Sequence, residues 1–168
     1  IRAGRHLPAV RGGRLSLDGL DLQLNGERLL SMALTEAERV GVEPFLLWGS
    51  LLGCVRDRGF IWNDKDIDLG VLEGDLPRVA AFRDSMLARG FRIRVESPHK
   101  LSLAHPRHPR LYIDLDVVHR RPDGWAIVNA DSDPRRIGEY LFAPSVFAGT
   151  VWARFVGGRS VRLPADSE

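Results

Sequence analysis

Residues 45–71, FLLWGSLLGCVRDRGFIWNDKDIDLGV, pass from a wholly apolar tetrapeptide through a Gly-Ser pair to a segment in which acidic and apolar residues alternate. FLLW is short, apolar and bounded by Pro44 and Gly49, a pattern that predicts a buried strand at 45–48. Ser50 stands where a helix N-cap belongs, opening the short helix SLLGCVRD. Downstream, DIDLGVL at 66–72 has the two-residue period of a strand, with Ile67 and Leu69 on one face and Asp66 and Asp68 on the other. The two acids leave that face with α-carbons roughly 6.6 Å apart.

Ahead of this unit, ERLLSMALTEAERVG places Leu30, Ala33, Leu34, Ala37 and Gly41 at helical spacing, predicting a helix from Glu27 with Gly41 as its C-terminal cap. Residues 1–24 are rich in Arg and Gly with weak periodicity and read as an N-terminal arm. Beyond the acid strand, Asp75 opens LPRVAAFRDSMLAR, whose Leu76, Val79, Phe82 and Met86 make one stripe that Gly90 ends. FRIRVE, KLSLAH, RLYIDLDVV, GWAIVNA, VWARFVG and RSVRL follow, each short and β-rich between Pro, Gly or Asp turns. Helices first and a run of strands after define an α+β class: a mixed, largely antiparallel sheet with helices packed on one face. Residues 25–168 form one domain on this reading.

Composition narrows the function classes. The 168 residues, 44% hydrophobic, suit a single core. With 24 basic against 22 acidic residues, charge is too balanced to argue for a nucleic-acid partner. One cysteine, Cys54, excludes an internal disulfide and a cysteine-based zinc site, so a reduced, cytoplasmic setting is expected and Cys54 reads as a small buried side chain. No apolar run reaches the roughly 20 residues that span a bilayer. The chain opens on Ile and ends at LPADSE, which suggests a piece of a longer product.

Asp114 and Asp116 in YIDLDVV repeat the arrangement of Asp66 and Asp68 on a second strand. A solvated face accounts for one such pair. Two pairs on two apolar strands argue otherwise, because Asp is disfavoured in strands. Neighbouring strands would crowd up to four carboxylates into one patch, where repulsion raises their pKa values. A hard cation relieves that conflict, and Mg²⁺ is commonly held by one or two carboxylates together with substrate phosphates. The Gly49–Ser50 turn entering a helix offers backbone N–H groups and a close backbone approach, a cradle for phosphate. GxxxxGK[ST] and the dinucleotide-binding fingerprint are both absent.

Gly-Ser after a strand, an Asp-x-Asp strand and a third acid on a later strand together resemble the nucleotidyltransferase superfamily of the DNA polymerase β type. GSLLGCVRDRGFIWNDKDIDLG resembles one branch more closely, the LicD/fukutin family, with its pattern G-T-L-L-G-x-x-R-x-x-G-F-I-P-W-D-D-D-I-D-I-G. Gly49, Leu51, Leu52, Gly53, Arg56, Gly59, Phe60, Ile61, Asp64, Asp66, Ile67, Asp68 and Gly70 agree without a gap. Ser50 stands for Thr, Trp62 for Pro, Asn63 for Trp, and Lys65 for the middle acid of the triple. Position 65 alternates away from Asp66 and Asp68 and is not needed for a metal.

The resemblance implies metal-dependent transfer of a phosphorylated alcohol, of phosphocholine or phosphoribitol type, from a CDP-linked donor to a hydroxyl of a glycan or lipid-linked sugar, a modification of cell-surface glycans. Asp66, Asp68 and Asp114 would hold Mg²⁺ or Mn²⁺, and Asp114 or Asp116 would accept the acceptor's proton. Gly49, Ser50, Arg56 and Lys100 would bind the donor phosphates. Two rival readings keep the fold: transfer of an NMP from an NTP to a small-molecule or protein hydroxyl, and a non-catalytic binding domain. Trp62 reads as a loop residue covering core more readily than as a base-stacking platform. His99, His105 and His108 lack zinc-ligand spacing and fit a Pro-rich hairpin better.

Overall fold

The computed structural model describes residues 17–129 and 138–166. Helix α1 spans Leu17–Val40, β1 Phe45–Leu46, α2 Trp48–Asp57 and β2 Asp66–Leu72. A 3-10 turn at Glu73–Asp75 leads into α3, Leu76–Ala88. The remaining strands are β3 Arg92–Glu96, β4 Lys100–His105, β5 His108–Arg121, β6 Gly124–Asn129, β7 Gly138–Phe142, β8 Thr150–Arg154 and β9 Ser160–Pro164. Among the described residues, β1 to β7 form one sheet in the order β1-β2-β5-β4-β3, with β6 and β7 added along the far half of β5. The β2–β5 pair is parallel and the other pairings are antiparallel. The β8–β9 hairpin is a separate two-stranded sheet.

The mixed sheet and its helices match the α+β architecture expected from the sequence. Ile67, Leu69 and Val71 of β2, Ile113, Leu115 and Val117 of β5, and Leu101 and Leu103 of β4 all join one core with Leu29, Leu30, Ala33 and Ala37 of α1 and Phe82 and Met86 of α3. Burying each such large apolar side chain contributes about 1.5–3 kcal/mol. That burial also locks the register, since a one-residue slip would turn every side chain of a strand to the wrong face. The helix-facing side of β2 and β5 is thus committed to the core, and the acids occupy the other side.

Three local expectations differ from what the structure shows. Helix α1 begins at Leu17 rather than Glu27, so residues 17–24 are helical and not part of an arm; residues 1–16 lie outside the described residues. Leu22 is fully buried there, and the stripe is hidden in the sequence by Gly26, where a Cβ would stand 2.7 Å from the Phe60 ring. The strand read at 45–48 shrinks to Phe45–Leu46, because Trp48 has φ +42° and already belongs to α2. Strand β7, GEYLF, was not anticipated: it is exposed along nearly its whole length, so no apolar alternation marks it.

Glu36 ties α1 to α3. It is 3% exposed and accepts hydrogen bonds from Arg39 Nε at 2.9 Å, Arg89 Nε at 2.8 Å and Ser85 Oγ. The Ser85 bond and then the Arg39 bond hold its carboxyl at about 2 against a usual 4.5, outweighing burial, which raises it. A depressed carboxyl stabilises the fold above its unfolded value and loses that contribution as pH falls through the folded one. Glu36→Gln is therefore expected to cost about 2 kcal/mol at pH 7, the scale of lost charged hydrogen bonds. Urea titrations should show that difference shrinking between pH 4.5 and 2.

Candidate active site

Parallel pairing of β2 and β5 sets Asp68 directly beside Asp114 and Gly70 beside Asp116. On the other flank of β5, β4 sets Ser102 beside Asp114 and Lys100 beside Asp116. Alternation then brings Asp66, Asp68, Asp114, Asp116, Ser102 and Lys100 to one face of the sheet. An open cleft of about 270 Å³ lies over the acids and Lys100, lined also by Trp48, Ile127 and Tyr140.

Ser50 does not cap α2; Leu47 is the N-cap residue, with no side-chain bond. Instead the buried Ser50 Oγ accepts the backbone N–H of Asp68 at 2.9 Å, and the Ser50 N–H donates to Asp68 Oδ2 at 3.4 Å. The helix start thus addresses a carboxylate of the site. Gly49 is required by the same approach: a Cβ there would stand 2.1 Å from Asp64 Oδ2 and 3.2 Å from Asp68 Oδ2. Gly70 has a packing reason, since a Cβ would meet Leu47 and Phe45 at 2.5 and 2.6 Å.

Among the described residues, the carboxylates able to converge on one ion are Asp64, Asp66 and Asp68, with ligand oxygens within 4.8 Å of one another. Asp64, absent from the expected ligand set, belongs to this group, and Asp114 does not. The signal was available: Asp64 is among the matched positions and continues the alternation of Asp66 and Asp68 backwards into the loop. Asp114 is engaged elsewhere, with Oδ2 2.6 Å from Lys100 Nζ and Oδ1 accepting from Ser102 Oγ at 2.5 Å. Lys100 Nζ also lies 3.7 Å from Asp116 Oδ1, while Asp116 Oδ2 accepts Trp48 Nε1–H at 2.8 Å. Arg56 is exposed, forks onto Asp57 and does not line the cavity. Lys65 is exposed, as the alternation required.

Electrostatics follow from crowding. Burial pushes Asp68 up to about 8, reinforced by Asp66, Asp64 and Asp114. Burial likewise pushes Asp66 to about 7, with Asp64 adding to it. Asp116 is raised by burial despite Lys100 and the Trp48 N–H. Burial pulls Lys100 down, but Asp116 and Asp114 outweigh it and hold the ammonium charged. Three converging carboxylates, of which Asp66 and Asp68 resist ionising, form a fitting set for a hard divalent cation.

Trp48 and Tyr140 were not singled out by sequence reasoning. Their rings meet edge-to-face with centroids 5.1 Å apart and wall the cavity opposite the acids. Trp48 reads in the sequence as the end of a buried strand, and Tyr140 belongs to the exposed edge strand.

Comparison with known proteins now bears on this geometry. The lincomycin-bound lincosamide antibiotic adenylyltransferase LnuA superposes with a TM-score of 0.51 and 21% identity, over 83% of this chain and 80% of its own. ANT(2″)-Ia in complex with adenylyl-2″-tobramycin superposes with a TM-score of 0.51 and 15% identity, over 84% of this chain and 70% of its own. The chain therefore has a nucleotidyltransferase-type fold. Residues 41–121 match the family described as LicD/FKTN/FKRP, nucleotidyltransferase domain, a span that contains the Gly49–Ser50 turn and all the clustered acids. No curated protein matches the chain.

Asp66 and Asp68 keep protons in the folded, metal-free protein that the unfolded chain releases from its usual value of 3.8 upward. The folded state binds more protons across that window, so stability falls as pH rises from about 4 to about 8 and levels off above it. Denaturant titrations of the metal-free protein should show this decline, and Asp68→Asn should flatten it. An unchanged slope in that variant would contradict the assignment.

Proposed function

We propose that this chain is a LicD-family transferase moving a phosphorylated alcohol, of phosphocholine or phosphoribitol type, from a CDP-linked donor to a glycan or lipid-linked sugar hydroxyl. The observation that carries the proposal is the convergence of Asp64, Asp66 and Asp68 beside the Gly49–Ser50 turn, within the span matched to that family. Asp64, Asp66 and Asp68 would hold Mg²⁺ or Mn²⁺, which supplies Lewis-acid stabilisation of the donor diphosphate's charge.

The remaining roles fall to the chain's own groups. Gly49 lets the donor phosphates approach the backbone, and Lys100 offers a cation at the opposite side of the cavity. Lys100 and Ser102 hold both oxygens of Asp114, which makes Asp114 a positioning group for the lysine. Asp116 is the better proton acceptor for the acceptor hydroxyl. Its Oδ2 accepts from Trp48, its Oδ1 faces Lys100 Nζ at 3.7 Å, and its raised pKa suits a general base. The aromatic wall of Trp48 and Tyr140 excludes water from one side. A cytoplasmic setting is part of this proposal; among the described residues no helix is long and apolar enough to cross a membrane.

A second reading, NMP transfer from an NTP to a hydroxyl, is favoured by the adenylyltransferase structures that share the fold. Thermal-shift series with CDP-choline, CDP-ribitol, CTP and ATP, each with and without Mg²⁺, separate the two. A CDP-alcohol that stabilises wild type only with Mg²⁺, and not Asp66→Ala, is the expected result. A response confined to ATP or CTP supports NMP transfer, and no response from any nucleotide contradicts both in favour of a binding domain.

A further inference from the structure

Outside the acid cavity, the helix-facing side of the sheet carries a second group of potential ligands where the β3–β4 turn meets the end of β5. His99 Nδ1 and His119 Nε2 approach to 2.9 Å, with ring planes at 77°. Glu73 Oε2 lies 3.5 Å from the other nitrogen of His119, Nδ1. The sequence reading grouped His99 with His105 and His108. The structure separates them: His105 and His108 pair across the β4–β5 turn, and His99 stands at the opposite end of β4.

We propose that His99 and His119 form a binding site for a borderline transition-metal ion such as Zn²⁺, distinct from the carboxylate cluster. Two nitrogens bound to one tetrahedral ion at about 2.0–2.1 Å stand roughly 3.3 Å apart, a few tenths of an ångström wider than the pair is here. Side-chain rotation supplies that difference. Imidazole suits Zn²⁺, whereas the oxygen-only cluster suits Mg²⁺, so the two sites differ in the metal they select.

Glu73 supports the assignment. A carboxylate can only accept, so it favours the proton on His119 Nδ1 and leaves Nε2 bare. A carboxylate backing the far nitrogen of a ligating histidine is the usual outer support of such ions. His99 then carries the proton of the His–His bond on Nδ1, and its transfer to His99 Nε2 frees both lone pairs without changing the charge. Burial, and then the charge of His99, lower the pKa of His119, which keeps its ring neutral.

Both imidazoles are held by backbone. Ser97 Oγ accepts the N–H groups of His99 and Lys100 at 3.2 and 3.1 Å, and the His99 carbonyl accepts the Val117 N–H at 2.8 Å. His119 pairs with Ala126 in the β5–β6 ladder. Of the two arginines that follow His119 on β5, Arg120 lies over the Trp125 ring and Arg121 is turned onto Glu139 at 2.6 Å. No third protein donor joins the pair among the described residues, so water would complete the coordination sphere of a bound ion. An ion there would staple the turn immediately before Lys100 to the end of β5.

The test titrates Co²⁺ into untagged full-length chain in excess Mg²⁺, which keeps the carboxylate cluster occupied, following visible absorption. Wild type is expected to take up one Co²⁺ that Zn²⁺ displaces. His99→Ala and His119→Ala should each weaken uptake at least tenfold, with Glu73→Gln intermediate. Circular dichroism identifies any variant that fails to fold, and the other histidine variant then decides. Absence of Co²⁺ uptake by wild type, or uptake unchanged in a folded histidine variant, would leave the pair a hydrogen bond only and overturn the proposal.

Discussion

Repulsion among buried carboxylates is the constraint around which the rest of this structure is arranged. Asp68, Asp114 and Asp116 are each at most 9% exposed, with Asp64 and Asp66 beside them and Lys100, among the described residues, as the one cation lining their cavity. Such crowding costs stability unless partners answer it. The partners visible here come from two elements: the Ser50 amide and the Trp48 indole from the first turn of α2, and the Ser102 hydroxyl and Lys100 from β4. The apolar opposite face of β2 and β5 holds the acids in register against their mutual repulsion. Two-sided strands of this kind concentrate stability on one face and chemistry on the other.

The partners divide the acids into two groups with different capacities. Asp114 and Asp116 are already answered by donors and a charged lysine. Asp64, Asp66 and Asp68 have less to answer them, and burial together with one another keeps Asp66 and Asp68 protonated near neutrality. That asymmetry marks where a cation gains most by binding. Gly49 completes the division, since any side chain there would displace Asp64 from the cluster. The strained φ of Trp48 is held by its bond to Asp116 and its ring contact with Tyr140, which joins the backbone turn to the cavity wall.

Much of this was legible in the sequence because alternation is a strong local signal. DIDLGVL and YIDLDVV announced two strands with acids on one face, and the pairing of Asp68 with Asp114 follows once those strands are neighbours. What the sequence concealed depends on tertiary contacts. Gly26 interrupts the apolar stripe of α1 only because Phe60 packs against it, so the start of the helix looked irregular. That Lys100 and Ser102 hold the two oxygens of Asp114 while Asp64 converges with Asp66 and Asp68 is a set of contacts that spacing along the chain cannot express. Ser50 resembled a helix cap from its neighbours, yet its hydroxyl is used across the sheet by Asp68. The His99–His119 contact joins the β3–β4 turn to the end of β5 and left no local trace.

The central claim is that Asp64, and not Asp114, completes the cation site with Asp66 and Asp68. Mn²⁺ binding followed by electron paramagnetic resonance on wild type, Asp64→Asn and Asp114→Asn tests it directly, with thermal unfolding of each variant as the control for folding. The account predicts that Asp64→Asn weakens binding at least tenfold while Asp114→Asn, whose carboxylate is already matched by Lys100, changes it far less. Binding lost in Asp114→Asn and retained in Asp64→Asn would contradict it.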